Sequence, residues 1–484
     1  MPNPIEGLKP PLVWKYFAEI ARIPRGSKNE KAIAAYVVGT AKKLGLPVKQ
    51  DRIGNVFVSK PASAGRQNVR GIALQGHLDM VCEKNKDKVH DFEKDPIELV
   101  RTGNVLTANG TTLGADNGIA VATNLALMED RTAEHGPLEF VFTIDEETGL
   151  TGANNLEPGY VASKTLMNLD SEEEGAIYVG CSGGKDTLGT WKADYENAPA
   201  GSVGMLLSVK GLKGGHSGLE IDKGRGNAIK IITRVLISCT GAGARIASIN
   251  GGNKRNAIPR ECEAVLFVPK NKTNVVTEAV NGWNTIIRAE LATVEKDLAI
   301  TIAPNGLKKG KVIKKAVQQK VLQTITALPH GVTKMSADIP GLVETSTNVA
   351  VITTTKKAVV LATSQRSSVA SEIDDIAQTV AAIFRLGGAD VEASDGYPGW
   401  KPNLNSEILR VARQTYKSLY GKDPDVKAIH AGLECGIIGE KYPGMDMISF
   451  GPTLEGVHSP EEKIYIDTVE KYWNFLLAIL KNAK

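Results

Sequence analysis

Apolar residues recur at two different spacings along this chain, and the switches between them mark out its elements. Over residues 14–23, and again in "NEKAIAAYVVGTAKKLG" from Asn29 to Gly45, they return every three or four positions. That is the period of a helix with one buried face, and glycine is a common stop. Other apolar runs are short and nearly continuous: "GIALQG" (71–76), "LEFVFTI" (138–144) and "KTLMNL" (164–169). They have the length of strands covered on both faces. The first is followed by a helical run, "NGIAVATNLALMED" (117–130). This alternation predicts an α/β domain built on a mostly parallel sheet.

The pattern changes near Trp191. From there to about Pro398, strand-like pieces such as "GMLLSVKGL", "ECEAVLFVP" and "NVAVITTTKKAVVLATSQ" are separated by long helical runs, "GNAIKIITRVLISC" and "SEIDDIAQTVAAIFRLG". A meander interrupted by helices predicts a separate α+β domain. A strand, helix and strand order in residues 203–268 returns loosely in 309–385, a weak internal repeat. After the turn-rich "SDGYPGWKPN" the first style resumes with "SEILRVARQTYKSLYG" and "MDMISFG". The expected organisation is therefore a discontinuous α/β domain, residues 1–190 and 399–484, with an inserted α+β domain over 191–398.

Composition narrows the function classes. With 484 residues, 42% hydrophobic and 23% charged, the chain reads as a soluble globular protein of more than one domain. Its 58 basic and 54 acidic residues nearly cancel, to +4, and no block of like charge suggests nucleic acid. The opening "MPNPIEGLKPPLVWKYFAEI" lacks the apolar core of a secretory signal. No run reaches the roughly 18 to 20 apolar residues of a membrane span. The five cysteines, at 82, 181, 239, 262 and 435, form no CxxC pair, which predicts a cytoplasmic protein with reduced thiols.

The chemistry-bearing residues sit just after predicted strands, where open α/β sheets collect ligands. In "LQGHLDMV" (74–81), His77 and Asp79 stand two apart, so an extended chain presents them side by side. They read as a metal ligand with its supporting carboxylate, or as a histidine bonded to an aspartate in a loop. Asp116 in "TLGADNGIAVA" enters a helix, where an aspartate also serves as an N-cap. "FTIDEETGL" ends an apolar strand with Asp145, Glu146 and Glu147. If that segment is extended, the two glutamates face opposite ways. Asp170 follows the strand in "LMNLDSEEEG", and His458 lies in a loop in "SFGPTLEGVHSPEE". His90, His135 and His330 read as surface positions. His77, Asp116, Glu147, Asp170 and His458 make a set of two imidazoles and three carboxylates. If Asp116 bridges, each of two divalent ions receives three ligands and keeps an open position. No serine or cysteine shows a plausible base partner in the sequence. "CSGGKDT" (181–187) resembles a phosphate-binding loop, but the "LGTWKADYE" after it has strand-like spacing and no helical face.

Six motifs, "GHLDMV", "LGADNGIA", "DEETG", "NLDSEEEG", "GGHSG" and "GVHSPEE", together and in this order resemble the zinc-dependent M20 peptidase family that includes carboxypeptidase G2, and most closely its aminoacyl-histidine dipeptidase branch. The resemblance spans essentially the whole chain. It implies a zinc-peptidase-like catalytic domain with the inserted domain as a lid. It implies that His77, Asp116, Glu147, Asp170 and His458 bind two divalent ions, with Asp116 bridging. Zinc is the first expectation, and cobalt or manganese the alternatives. Glu146 matches the general base, and Asp79 the carboxylate orienting His77. His216 in "KGGHSG" matches the lid histidine that reaches the substrate. Asn256 and Arg366 match groups for the substrate's C-terminal carboxylate. The implied activity is hydrolysis of Xaa-His and other dipeptides. An aminoacylase, a deacetylase or a tripeptide aminopeptidase using the same site is the alternative. Small dipeptides are the implied partners, without nucleic acid or membrane, and a homodimer is one assembly the family allows. The lid, at about 200 residues, departs from the simpler dimeric members, whose lids are roughly half as long. That leaves open whether His216 serves its own chain or a neighbour.

Overall fold

Every position of the strand Ile72–His77 is buried, including the polar Gln75 and His77. A computed structural model describing residues 3–484 shows why. This strand lies inside an eight-stranded sheet ordered Val48–Gln50, Val56–Lys60, Leu138–Thr143, Ile72–His77, Thr165–Asn168, Asp446–Ser449, Ala176–Cys181 and Asp425–Ile429. The four central strands run parallel, and antiparallel strands flank them. The helix Ala115–Glu129 packs against Ile72–His77. It is apolar almost all round and buried along nearly its whole length, as a helix enclosed by other elements must be. The first helix runs Pro11–Ile20, beginning and ending earlier than its apolar period predicts, with a proline at its start. The second runs Lys31–Lys43, and Gly45 beyond it has φ +70°.

Gly76 of "LQGH" lets helix and strand approach closely. A Cβ there would lie 2.5 Å from Asn117 Oδ1 and 2.7 Å from Ala120 Cβ. With no side chain in the way, Asn117 Oδ1 accepts the His77 N–H (3.2 Å) while its Nδ2 donates to the Leu169 carbonyl (3.0 Å). One buried amide thus braces the ends of two neighbouring strands, each leading to a candidate ligand.

The chain forms two compact units. The first comprises Met1–Gly180, Trp400–Ala428 and Leu433–Lys484, the second Cys181–Gly399 and Ile429–Gly432. The change of character near Trp191 falls within a single strand, Gly183–Lys192, so the second unit starts earlier than composition alone marks it. The segment "CSGGKDT" is the end of one strand and the start of this one, with no helix N-terminus to hold phosphate.

The second unit is built on a nine-stranded sheet. Its main order is Ala299–Pro304, Ser202–Lys210, Cys262–Pro269, Arg245–Gly251, Val343–Thr354, Ala358–Ser367, Gly183–Lys192 and Asp390–Ala393, with Gly331–Met335 beside Val343–Thr354. The two halves meet where Gly251 pairs with Ile352. Numbered within its own half, each set of four reads last, first, third, second from its outer edge. Four helices, Ala228–Gly241, Thr273–Glu290, Lys315–Ala327 and Ala370–Leu386, contribute residues such as Ile232, Leu236, Val280, Ile325 and Phe384 to its core. Among the described residues, no helix is long and apolar enough to cross a membrane.

Gly76→Ala should force the Asn117 brace apart. Overpacking of this kind costs about 1–3 kcal/mol, read as a lower midpoint in equilibrium denaturation. An unchanged midpoint would show that the close approach carries no constraint.

Candidate metal centre

The carboxyl end of Ile72–His77 delivers His77, a fully enclosed ring, to a group of acids. Its Nδ1 lies 3.3 Å from Asp79 Oδ1, while Nε2 lies 3.1 Å from Asp116 Oδ1 and 3.5 Å from Asp170 Oδ1. Asp79 is buried and does more than face His77. It accepts the Ser27 hydroxyl (2.8 Å) and the backbone N–H groups of Glu146 (3.0 Å) and Glu147 (3.2 Å). One carboxylate therefore faces the imidazole and holds the acidic turn.

That turn differs from the extended segment expected from sequence. Glu146–Gly149 is a short helix, entered through Asp145 at φ +48°. The Asp145 carboxylate accepts the hydroxyls of Thr148 and Thr151, and its N–H donates to Glu30 (3.0 Å), which fixes the bend. Successive helical residues are about 100° apart rather than opposed.

Asp116 lies in the first turn of Ala115–Glu129 with φ −79° and ψ 111°, outside the helical region, and its side chain caps nothing. The N-cap reading therefore fails. Its two oxygens point to two imidazoles, Oδ1 to His77 Nε2 and Oδ2 to His458 Nε2, each at 3.1 Å. His458 Nε2 is also 3.0 Å from Glu147 Oε2. Ligand atoms of His77, Asp116 and Asp170 lie within 4.8 Å of one another, as do those of Asp116, Glu147 and His458. The two trios share Asp116. Two further sets meet the same distance limit, His77 with Glu146 and Glu147, and Glu30 with Asp79 and Asp145, but protein N–H and O–H groups already occupy the second.

The electrostatics of this cluster call for cations. Burial pushes the Glu146 carboxyl well above its usual range, and Asp170, Glu434 and Glu147 add to the rise against the opposing pull of His77. Burial likewise raises Asp170, to about 6, with His77 opposing. Bonds to Asp116 and Glu147 push His458 up to about 11. Burial would lower His77, but Asp170, Asp116 and Asp79 outweigh it and raise the ring well above its ordinary value. Burial would raise Asp79, yet His77 and the N–H donors bring it down to about 2. Glu147 Oε1 is buried without a hydrogen-bond partner. Two imidazoles, three carboxylates and an unsatisfied carboxylate oxygen are a donor set that fits a pair of divalent cations.

Two acidic residues of the cluster escaped the sequence reading. Glu434 is completely buried at the start of Glu434–Lys441. Its Oε2 accepts Gln75 Nε2 (2.5 Å) and Thr143 Oγ1 (2.7 Å), while Oε1 has no partner. Burial pushes it up to about 7. It lies in "HAGLECG" (430–436), where the two glycines suit an ordinary turn and nothing marks the glutamate as buried. Glu462 is 2% exposed, and nothing in "GVHSPEE" distinguishes it from Glu461 beside it.

In the second unit, His216 sits in the two-residue strand Gly215–His216, paired with Ala257–Ile258. Its Nδ1 accepts the N–H groups of Gly218 (3.2 Å) and Leu219 (3.1 Å). A neutral ring so held carries its proton on Nε2. Asn256 is exposed; its carbonyl accepts the Ser217 N–H (2.8 Å). His216 and Asn256 both line a cleft of about 670 Å³. Arg366 is buried, with Nη1 donating to the Tyr397 hydroxyl (3.0 Å) and Nε to Ser217 Oγ (3.4 Å). The expectation that no serine has a basic partner needs correction, because Ser346 Oγ lies 2.7 Å from His430 Nε2, a pairing invisible across 84 positions. Burial lowers His430 to about 3, so it is neutral. Nor are His90 and His135 on the surface; both are buried.

Residues 73–482 match peptidase family M20/M25/M40. The chain is 44% identical over 475 residues to the cytosol non-specific dipeptidase of Escherichia coli (strain K12), covering 98% of each. It matches the crystal structure of the aminoacylhistidine dipeptidase from Vibrio alginolyticus with a TM-score of 0.90 at 42% identity, over 100% of this chain and 99% of that one. The aminopeptidase PepT from Bacillus cereus, at 17% identity and a TM-score of 0.58, covers 98% of this chain and 99% of its own and shares the fold.

Ligation requires neutral imidazoles and ionised carboxylates. With His458 pushed up to about 11 and His77 raised in the same direction, the metal-free cluster holds a proton at pH 7 that cations must expel. Calorimetric titration of metal-free protein with zinc at pH 7 should therefore give an apparent heat that changes with the buffer's ionisation enthalpy, in the direction of proton release. A buffer-independent heat would contradict this charge assignment.

Proposed function

The chain belongs to peptidase family M20/M25/M40, and we propose that it is a dinuclear-metal dipeptidase hydrolysing Xaa-His and a range of other dipeptides. The observation that carries this reading is the pair of donor trios sharing Asp116 beside the buried Glu146. Its near full-length similarity to two dipeptidases supports the substrate class. We further read it as a cytoplasmic enzyme, in keeping with the cytosolic relative.

In this reading His77, Asp116 and Asp170 hold one ion, and Asp116, Glu147 and His458 the other. Zinc is the first choice, and cobalt or manganese would suit the same donors. When bound, the ions would lower the pKa of a water from 15.7 toward about 7 and polarise the scissile carbonyl. Glu146 is the general base, taking the proton of the attacking water and passing it to the departing amine. Asp79 holds the backbone N–H of Glu146 (3.0 Å), so this carboxylate starts from a fixed turn. Its burial favours retaining the proton between the two transfers.

The second unit is, in our reading, an inserted and internally duplicated lid. The identical order of its two half-sheets supports this. It supplies the substrate-binding groups. His216, with both backbone bonds on Nδ1, presents Nε2–H as a donor for the carbonyl oxygen that becomes negative, a term worth about 3–4 kcal/mol. Arg366 and Asn256 serve the C-terminal carboxylate of the dipeptide.

The substrate class is tested by comparing Ala-His, β-Ala-His, a tripeptide and an N-acetyl amino acid. The dipeptides should be turned over preferentially, activity should vanish on dialysis against a strong chelator, and zinc, cobalt or manganese should restore it. Preference for the N-acetyl amino acid would identify an acylase instead. Undiminished turnover by metal-free protein would remove the metal reading.

The neighbouring glutamates should differ in kind. Glu146→Gln keeps two ions per chain but loses turnover by about 10²- to 10⁴-fold, the usual weight of a general base. Glu147→Gln should lose one ion first and regain activity at high metal concentration. Metal analysis of the two preparations distinguishes them. Loss of metal from Glu146→Gln with recovery on adding it would reverse the roles.

A further inference from the structure

The first turn of a helix exposes backbone N–H groups that need acceptors, and an aspartate there normally supplies one. Asp116 does not. All four N–H groups of residues 113–116 go instead to the single carboxylate of Glu462. Oε2 accepts Leu113 (2.7 Å) and Gly114 (2.9 Å), and Oε1 accepts Ala115 (2.8 Å) and Asp116 (3.2 Å). With those amides satisfied from outside, both oxygens of Asp116 are left to face His77 and His458.

Glu462 lies four residues after His458, in a loop closed on itself. Ser459 Oγ donates to the Gly456 carbonyl (2.7 Å), and the N–H of Glu462 donates to the Ser459 carbonyl (3.1 Å). His458 itself holds φ +60°, a conformation that needs support from its surroundings. At the same turn, the buried Arg25 donates Nη1 to the carbonyls of Leu78 (3.0 Å) and Asp79 (2.8 Å) and Nη2 to that of Gly114. A Cβ on Gly114 or Gly118 would come within 2.6 or 2.5 Å of Nη2, so these two glycines of "LGADNGIA" make room for the arginine. Buried groups of opposite charge thus hold one short turn, Glu462 by its N–H groups and Arg25 by a carbonyl.

We propose that Glu462 is a positioning residue that locks the Asp116 turn to the His458 loop, so that the shared ligand and the histidine beside it are set as one rigid piece. This rests on the two-ion reading above. Because Asp116 belongs to both trios, any slack in the turn displaces donors for both ions at once.

The test is zinc affinity, measured by competition with a chromophoric chelator on metal-free wild-type protein and three variants. The wild type should bind two ions, and failure there would count against the two-ion reading rather than the lock. Glu462→Gln, which preserves shape but turns an N–H₂ toward the backbone donors, should bind zinc about 10- to 100-fold more weakly, as removal of outer-shell support typically does. Glu461→Gln, on the exposed neighbour, should bind like the wild type. Should Glu462→Gln fail to show the wild type's far-ultraviolet circular dichroism, Glu462→Asp decides. It keeps the charge but is one methylene too short to reach all four amides, and should also bind more weakly. Wild-type affinity in the folded Glu462 variants, or an equal loss in Glu461→Gln, would overturn the proposal.

Discussion

Carboxylates cannot be crowded into a buried space unless something positive answers them. Asp79, Asp116, Glu146, Glu147, Asp170, Glu434 and Glu462 are gathered around the ends of a few parallel strands. Lost hydration, together with their mutual repulsion, opposes their ionisation. Three kinds of compensation are visible. Backbone N–H groups neutralise Asp79 and Glu462. Two imidazoles answer Asp116. The guanidinium of Arg25 lies beneath the turn that carries it. What remains concentrates on Glu146, Asp170 and Glu434, the acids whose carboxyls burial pushes up. The burial that burdens the fold therefore gathers the very donors that suit divalent cations.

The parallel core and most ligand-bearing segments were legible in sequence, for a simple reason. Short apolar runs that end in a histidine or an acid signal both a buried strand and its chemistry, as "GIALQGH" and "LEFVFTIDEE" do. The direction of Glu146 and Glu147 was misread because Asp145 turns the chain through a left-handed conformation, held by threonines whose roles are tertiary. Glu434, Ser346 and His430 were not singled out because their partners are far along the chain. Asp116 was ambiguous for a different reason: position alone suits a cap or a ligand, and the cap is excluded by its non-helical backbone and by Glu462 on the same amides.

The second unit shows how pattern reading can find a resemblance and miss its layout. The loose echo between residues 203–268 and 309–385 suggests two tandem copies. The sheet instead places Gly183–Lys192, which precedes both, as the first strand of the second half. One strand–helix–strand set is thus enclosed by the other. Its ends were hard to see because the enclosing half is split in sequence while remaining continuous in hydrogen bonding.

The strand Asp446–Ser449 pairs in parallel with Thr165–Asn168, so a central strand of the first sheet comes from near the chain's end, after the whole second unit. His458 follows it. On a ribosome, where chains emerge from the N-terminus and early segments fold first, His77, Asp116 and Asp170 are available long before the sheet is complete or the second trio has its histidine. A nascent or prematurely terminated chain therefore carries one donor trio and an open sheet edge. Completion of the donor set is thus a late event in biogenesis, since its last histidine, His458, lies 26 residues from the end of the sequence.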